Sequence, residues 1–90
     1  MSKISTAIQR QRWRFERLVA VVRSAYLDGQ GALATWTLQV AWMAAEDQEQ
    51  FHAVITIAHF MLTNPIDGTD LAILQDLLDD RSRRDITMSA

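Results

Sequence analysis

The sequence predicts an all-α fold, a compact bundle of three to four helices around a central apolar helix. Three observations predict it. Apolar residues recur at helical spacing along most of the chain, and short segments with glycine or proline separate the periodic stretches. Residues 32–45 carry no charge and include eleven apolar residues in fourteen. A helix of this composition is buried in protein or lipid, and at roughly 21 Å it is too short for a bilayer. We therefore expect its neighbours to enclose it.

The first helix is predicted from about Ser5 to Asp28. Its apolar side consists of Ile4, Ile8, Phe15, Leu18, Val19, Val22, Ala25 and Tyr26. Gly29 and Gly31 follow, and we expect both to adopt the positive φ that ends a helix.

The apolar stretch is predicted to be the second helix, with Trp36, Val40 and Met43 on one side and Leu38 and Trp42 on another. A strand is the competing interpretation, because apolar residues also alternate at 34, 36, 38, 40 and 42. A strand needs a partner, and the only other β-branched run, residues 54–57, lies within a helical pattern. One strand pair alone is marginally stable, so we favour the helix.

Asp47 and Gln50 have the spacing of a capping box, which predicts that the third helix begins there. This helix should end before Pro65, because the residue before a proline is disfavoured in the α region. Residues 64–68 form a predicted turn, after which Thr69 or Asp70 can cap a fourth helix. Its apolar stripe consists of Leu71, Leu74, Leu77 and Leu78.

The length of 90 residues indicates one domain, which we expect to span residues 1–81, followed by a flexible tail at 82–90. The chain has no cysteine and no visible targeting segment, which favours the cytoplasm. The net charge is −2, but residues 1–28 carry +4 (six basic, two acidic) and residues 29–90 carry −6 (three basic, nine acidic). The positive and negative parts of the chain either contact each other, within the fold or between copies, or each part faces a different partner.

A basic aromatic cluster provides the main candidate binding site. At 100° per residue, the side of the first helix opposite its apolar face carries Arg10, Trp13, Arg14 and Arg17. Tryptophan and arginine are enriched at protein-binding hot spots, so these four residues are candidates for contact with a larger protein. The alternative is that Trp13 covers this protein's own core or a second copy, with the arginines merely solvated.

Nucleic acid is a second possible partner, because arginines can hold phosphates while an aromatic ring stacks on a base. The acidic pI near 5.5 argues against it. A helix-turn-helix at residues 32–63 is also disfavoured, because no arginine or lysine lies between residues 24 and 80.

Asp76, Asp79 and Asp80 on the fourth helix are secondary candidates for binding, because an acidic surface can mimic a phosphate backbone and occupy a basic cleft. The alternative is that these carboxylates only favour solubility.

The sequence gives little support for an enzyme or for a metal or other cofactor. His52 and His59 are seven residues apart, or about 10.5 Å along a helix, which is too far for one ion. No phosphate loop or nucleophile elbow is present. We therefore expect a small non-catalytic regulator, adaptor or inhibitor that binds a larger protein and forms a homo-oligomer, most simply a symmetric dimer, without membrane association.

Overall fold

The protein consists of four helices in a computed structural model that describes the backbone of residues 3–89 and the side chains of residues 13–80. The helices are α1 (Lys3–Leu27), α2 (Gly31–Ala44), α3 (Gln48–Thr63) and α4 (Leu71–Ser89). No strand occurs in this described part of the chain. The predicted all-α class and the helical interpretation of the apolar stretch are therefore confirmed.

The turn between α1 and α2 is a Schellman motif. The Gln30 amide donates to the Ala25 carbonyl at 2.9 Å, and the Gly29 amide donates to the Tyr26 carbonyl at 3.1 Å. Gly29 has a φ of 76°, the left-handed conformation that this motif requires. The prediction for Gly29 is confirmed.

Gly31 has a different role from the one predicted. It does not have a positive φ, and it is the buried first residue of α2. Its amide donates to the Asp67 carbonyl at 3.2 Å. A Cβ added here would overlap the Asp67 carbonyl oxygen and the Thr69 nitrogen. Glycine is required at this position because two backbone segments meet, not because of its φ.

Thr35 completes the same junction from inside α2. Its side chain is fully buried, and its hydroxyl donates to the Gly31 carbonyl at 2.7 Å while accepting from the Asp70 amide at 3.2 Å. Asp70 itself caps α4, because its carboxylate accepts from the Ile73 amide. The start of α4 is thereby fixed against the first turn of α2.

The start of α3 is a reciprocal cap formed by the residues that the sequence indicated. The Asp47 carboxylate accepts from the Gln50 amide at 2.8 Å, and the Gln50 side chain accepts from the backbone of Glu46 at 2.8 Å. The return bond thus reaches one residue further back than in the standard capping box. The helix ends at Thr63, before Pro65, as predicted.

The helix directions follow from contacts between residues that are far apart in sequence. The pairs Gly31–Asp67, Thr35–Asp70 and Trp42–Asp80 show that α2 and α4 run parallel. Phe15 lies beside the first turns of α3, and Tyr26 contacts Phe60 near its end, so α1 and α3 also run parallel. The four helices therefore alternate in direction along the chain.

The core is formed mainly by residues from the predicted apolar sides of the helices. Its buried members are Phe15, Val22, Ala25, Ala34, Leu38, Ala41, Trp42, Ala45, Val54, Ile55, Ala58, Met61, Leu74 and Leu77. Ile4 and Ile8, also assigned to this core from the sequence, lie outside the described side chains.

Helix α2 contacts each of the other three helices, but within the described part of the chain the side chains on one of its sides stay exposed. Trp36 and Met43 on this side are 64% and 79% exposed. The Cα atoms span only 14 Å in the thinnest direction, which is room for no more than two helix layers. The expectation that α2 is enclosed on all sides is therefore wrong for a single chain.

The backbone of α4 continues as helix to Ser89, further than the sequence indicated. The side chains after residue 80 lie outside the described residues. The flexible tail at 82–90 stays a prediction.

We expect Gly31→Ala to lower the free energy of unfolding by about 2–3 kcal/mol, because the new methyl group meets backbone that cannot move aside independently. Urea titration followed by circular dichroism measures this change. Gly29→Ala is the control, since its Cβ meets open space and only the positive φ costs about 1 kcal/mol. A Gly31→Ala protein at least as stable as Gly29→Ala would contradict the close approach of residues 67–69.

Candidate functional site

The predicted binding residues whose side chains are described form an exposed cluster on α1, which we call the Arg–Trp surface (Trp13, Arg14 and Arg17). Trp13 is 59% exposed, as the sequence predicts. The guanidinium carbon of Arg17 lies 5.0 Å from the centroid of the Trp13 ring. Arg14 is also exposed. The fourth predicted member, Arg10, lies outside the described side chains.

The stacking of Arg17 on Trp13 follows directly from helix geometry, because residues four apart lie one above the other on a helix. A cation over an indole ring at an exposed site contributes about 0.5–1 kcal/mol. This contact holds the guanidinium beside a large apolar ring. The combination offers a flat apolar area together with donors whose fork matches a carboxylate or a phosphate.

A second exposed surface lies on α2, and we call it the α2 outward stripe (Leu33, Trp36, Val40 and Met43). Leu33 and Val40 are each 41% exposed, less than Trp36 and Met43. The four residues follow a 3-4-3 spacing, so they form one continuous line along the helix. Sequence reasoning grouped three of them on one side but assigned that side to the core. The spacing was visible in the sequence, but the sequence did not show that these side chains stay exposed in the described part of the chain.

The predicted acidic candidates on α4 do not behave as one group. Asp76 and Asp79 are exposed, and Asp79 accepts a hydrogen bond from Gln75 at 3.4 Å. Asp80 is half-buried and accepts a hydrogen bond from the indole nitrogen of Trp42 at 2.6 Å. One of the three carboxylates therefore has a role inside the fold, tying α4 to the end of α2.

Acidic side chains line a depression beside the start of α3. Glu16, Asp47 and Glu49 line a shallow, open depression with Phe15. Among the residues that the structure describes, no group of three potential ligands could hold a metal ion. His52 and His59 are both exposed on α3.

Comparison of the chain with protein-family models, with curated proteins and with solved structures gave no match. No helix in the described part of the chain is long and apolar enough to cross a membrane. The geometry of the two exposed surfaces is therefore the basis for any functional proposal.

We expect Asp80→Ala to lower the free energy of unfolding by about 1–2 kcal/mol, because the buried Trp42 indole loses a charged hydrogen-bond acceptor. Asp76→Ala is the matched control and should change stability by less than about 0.5 kcal/mol, since Asp76 is exposed. Thermal or urea unfolding of the three proteins makes the comparison. Equal stability of the two variants would show that Asp80 is as dispensable as Asp76.

Proposed function

We propose that this protein is a small non-catalytic regulator, adaptor or inhibitor that acts by binding a larger protein through its Arg–Trp surface. The observation that carries the proposal is the exposed indole of Trp13 with the Arg17 guanidinium stacked on it. Tryptophan has a large apolar ring, so covering the exposed part of Trp13 with a partner would remove apolar area from water and favour binding. Tryptophan and arginine are the residue types most enriched where binding energy is concentrated.

The partner surface that fits is an apolar slot bordered by carboxylates. Trp13 supplies the apolar anchor, and Arg14 and Arg17 supply charge at its edge. Residues 1–28 carry +4 within a chain of net charge −2, so the positive charge is concentrated in the α1 segment. An acidic partner would be steered toward this part of the molecule. The lack of cysteine is consistent with action in the cytoplasm, which we include in the proposal.

A nucleic acid is the second candidate partner, favoured by the same stacked pair. A base could stack on the outer face of Trp13 while arginines contact phosphates. The charge distribution disfavours it, since no lysine or arginine lies between residues 24 and 80 to extend the contact along a strand.

We expect Trp13→Ala to weaken capture of the partner at least tenfold, because a hot-spot tryptophan contributes more than the about 1.4 kcal/mol that a tenfold change represents. The triple change of Arg10, Arg14 and Arg17 to alanine should have a similar effect. Capture from a native lysate identifies the partner by mass spectrometry, and titration with the purified partner then gives the dissociation constants.

Arg23→Ala is the matched control for this experiment, because Arg23 is exposed on α1 but lies well away from the Arg–Trp surface around the helix. It should bind as the unmodified protein does. Unaltered capture by both Trp13→Ala and the triple variant would rule out the Arg–Trp surface. An electrophoretic shift with DNA or RNA at low salt, lost steeply as salt is raised, would instead favour the nucleic-acid alternative.

A further inference from the structure

The α2 outward stripe shares no residue with the Arg–Trp surface and needs a separate explanation. We propose that it is the seam of a two-fold dimer, in which α2 packs antiparallel against α2 of a second copy of this chain. This inference goes beyond the proposed function, since it assigns a different surface and a different partner. It rests on the spacing, size, charge and area of the four side chains.

The spacing of the stripe is symmetric about its centre. Leu33 and Met43 lie equally far from residue 38, and so do Trp36 and Val40. A two-fold axis perpendicular to α2 at that level places Leu33 opposite the partner's Met43 and Trp36 opposite the partner's Val40. The 3-4-3 pattern is that of the seam positions of a coiled coil, and the four layers extend over about 15 Å. The stripe is therefore self-complementary in an antiparallel arrangement, as a two-fold interface requires.

The side-chain sizes favour the antiparallel arrangement over the parallel one. Antiparallel packing pairs the largest side chain of the stripe, Trp36, with the smallest, Val40. Parallel packing would place two Trp36 rings in one layer and leave two Val40 side chains underfilling another. It would also align the two helix dipoles, which antiparallel packing opposes.

The charge distribution of α2 favours a second copy over an acidic or basic partner. No charged residue occurs between Gly31 and Ala45. The stripe is bordered on α2 by Ala32, Gln39 and Ala44. Closing two copies over this surface would bury no charge of α2, so no desolvation of an unpaired ion opposes it. A charged partner would find no complementary group on this helix.

The exposed area of the stripe can be compared with the area that a specific interface buries, counted over both copies. Taking a large side chain as about 150–250 Å², the exposed fractions correspond to on the order of 450 Å² per chain. This is within the about 300–600 Å² of the largest apolar patch on a typical monomer, a patch that is often functional. Two copies would together bury up to about 900 Å² from the stripe, which is close to the about 1,000 Å² expected of a specific interface before any bordering residue is counted.

The oligomeric state in solution tests the proposal. Light scattering coupled to gel filtration at tens of micromolar should give about twice the chain mass of 10.2 kDa. Trp36→Glu and Met43→Glu should each reduce the mass to that of one chain, because each places a charge in the apolar seam. Both side chains are mostly exposed within the protomer, so circular dichroism should show unchanged helicity.

Trp13→Glu is the matched control, because it changes an exposed tryptophan of similar exposure on another helix. It should leave the dimer mass intact. A single-chain mass for the unmodified protein would overturn the proposal, as would a dimer that survives both Trp36→Glu and Met43→Glu. Partner capture reports on the Arg–Trp surface independently, so failure of the dimer and failure of the proposed function are separate results.

The chain has no cysteine, so single cysteine variants can report the orientation of the two helices. A mixture of Leu33→Cys and Met43→Cys proteins should form a disulfide-linked heterodimer under mild oxidation, because the two positions face each other across the seam. Neither variant should cross-link efficiently alone. Cross-linking of each variant with itself, and not in the mixture, would overturn the antiparallel arrangement.

Discussion

The constraint that governs this structure is that the three helices packed on α2 leave one of its sides exposed in the described part of the chain. Helix α2 is apolar on all sides. The fold is only about two helix layers thick, so the other helices cover one side of α2 and leave the opposite side exposed. The covered side holds Leu38 and Trp42, and the uncovered side holds Trp36 and Met43. The core is therefore built on one side of the most apolar helix, α2. The remaining apolar side is then available to a second molecule.

The position of α2 against this core depends on polar contacts at both of its ends. At the first turn, Gly31 lets the backbone of residues 67–69 approach closely, and Thr35 bonds the Asp70 amide. Near the last turn, the Trp42 indole donates to Asp80. These contacts hold α4 parallel to α2 along most of the length of α2. They fix how far α4 and the loop before it are shifted along the axis of α2. Apolar packing alone specifies this shift poorly.

Sequence reasoning succeeded where the structure depends on residues close together in the chain. The cap at Asp47 and Gln50, the Schellman turn at Gly29 and the exposure of Trp13 each follow from a few neighbouring residues. It failed at Gly31, where the constraint is a backbone segment 36 residues away. It also missed the Trp42–Asp80 bond, which joins residues 38 apart, and the uncovered side of α2. Periodicity shows that a helix has an apolar face, but not whether the chain supplies anything to cover that face.

The stacked pair on α1 differs from these long-range contacts because it needs nothing beyond one turn of helix. Trp13 and Arg17 meet through their four-residue spacing on one helix. The geometry of the pair therefore depends on the helix that carries it, through the spacing of the two residues. Any helix of sufficient stability could display the same ring and guanidinium, so protein engineers could graft this surface onto an unrelated scaffold while leaving the rest of the domain behind.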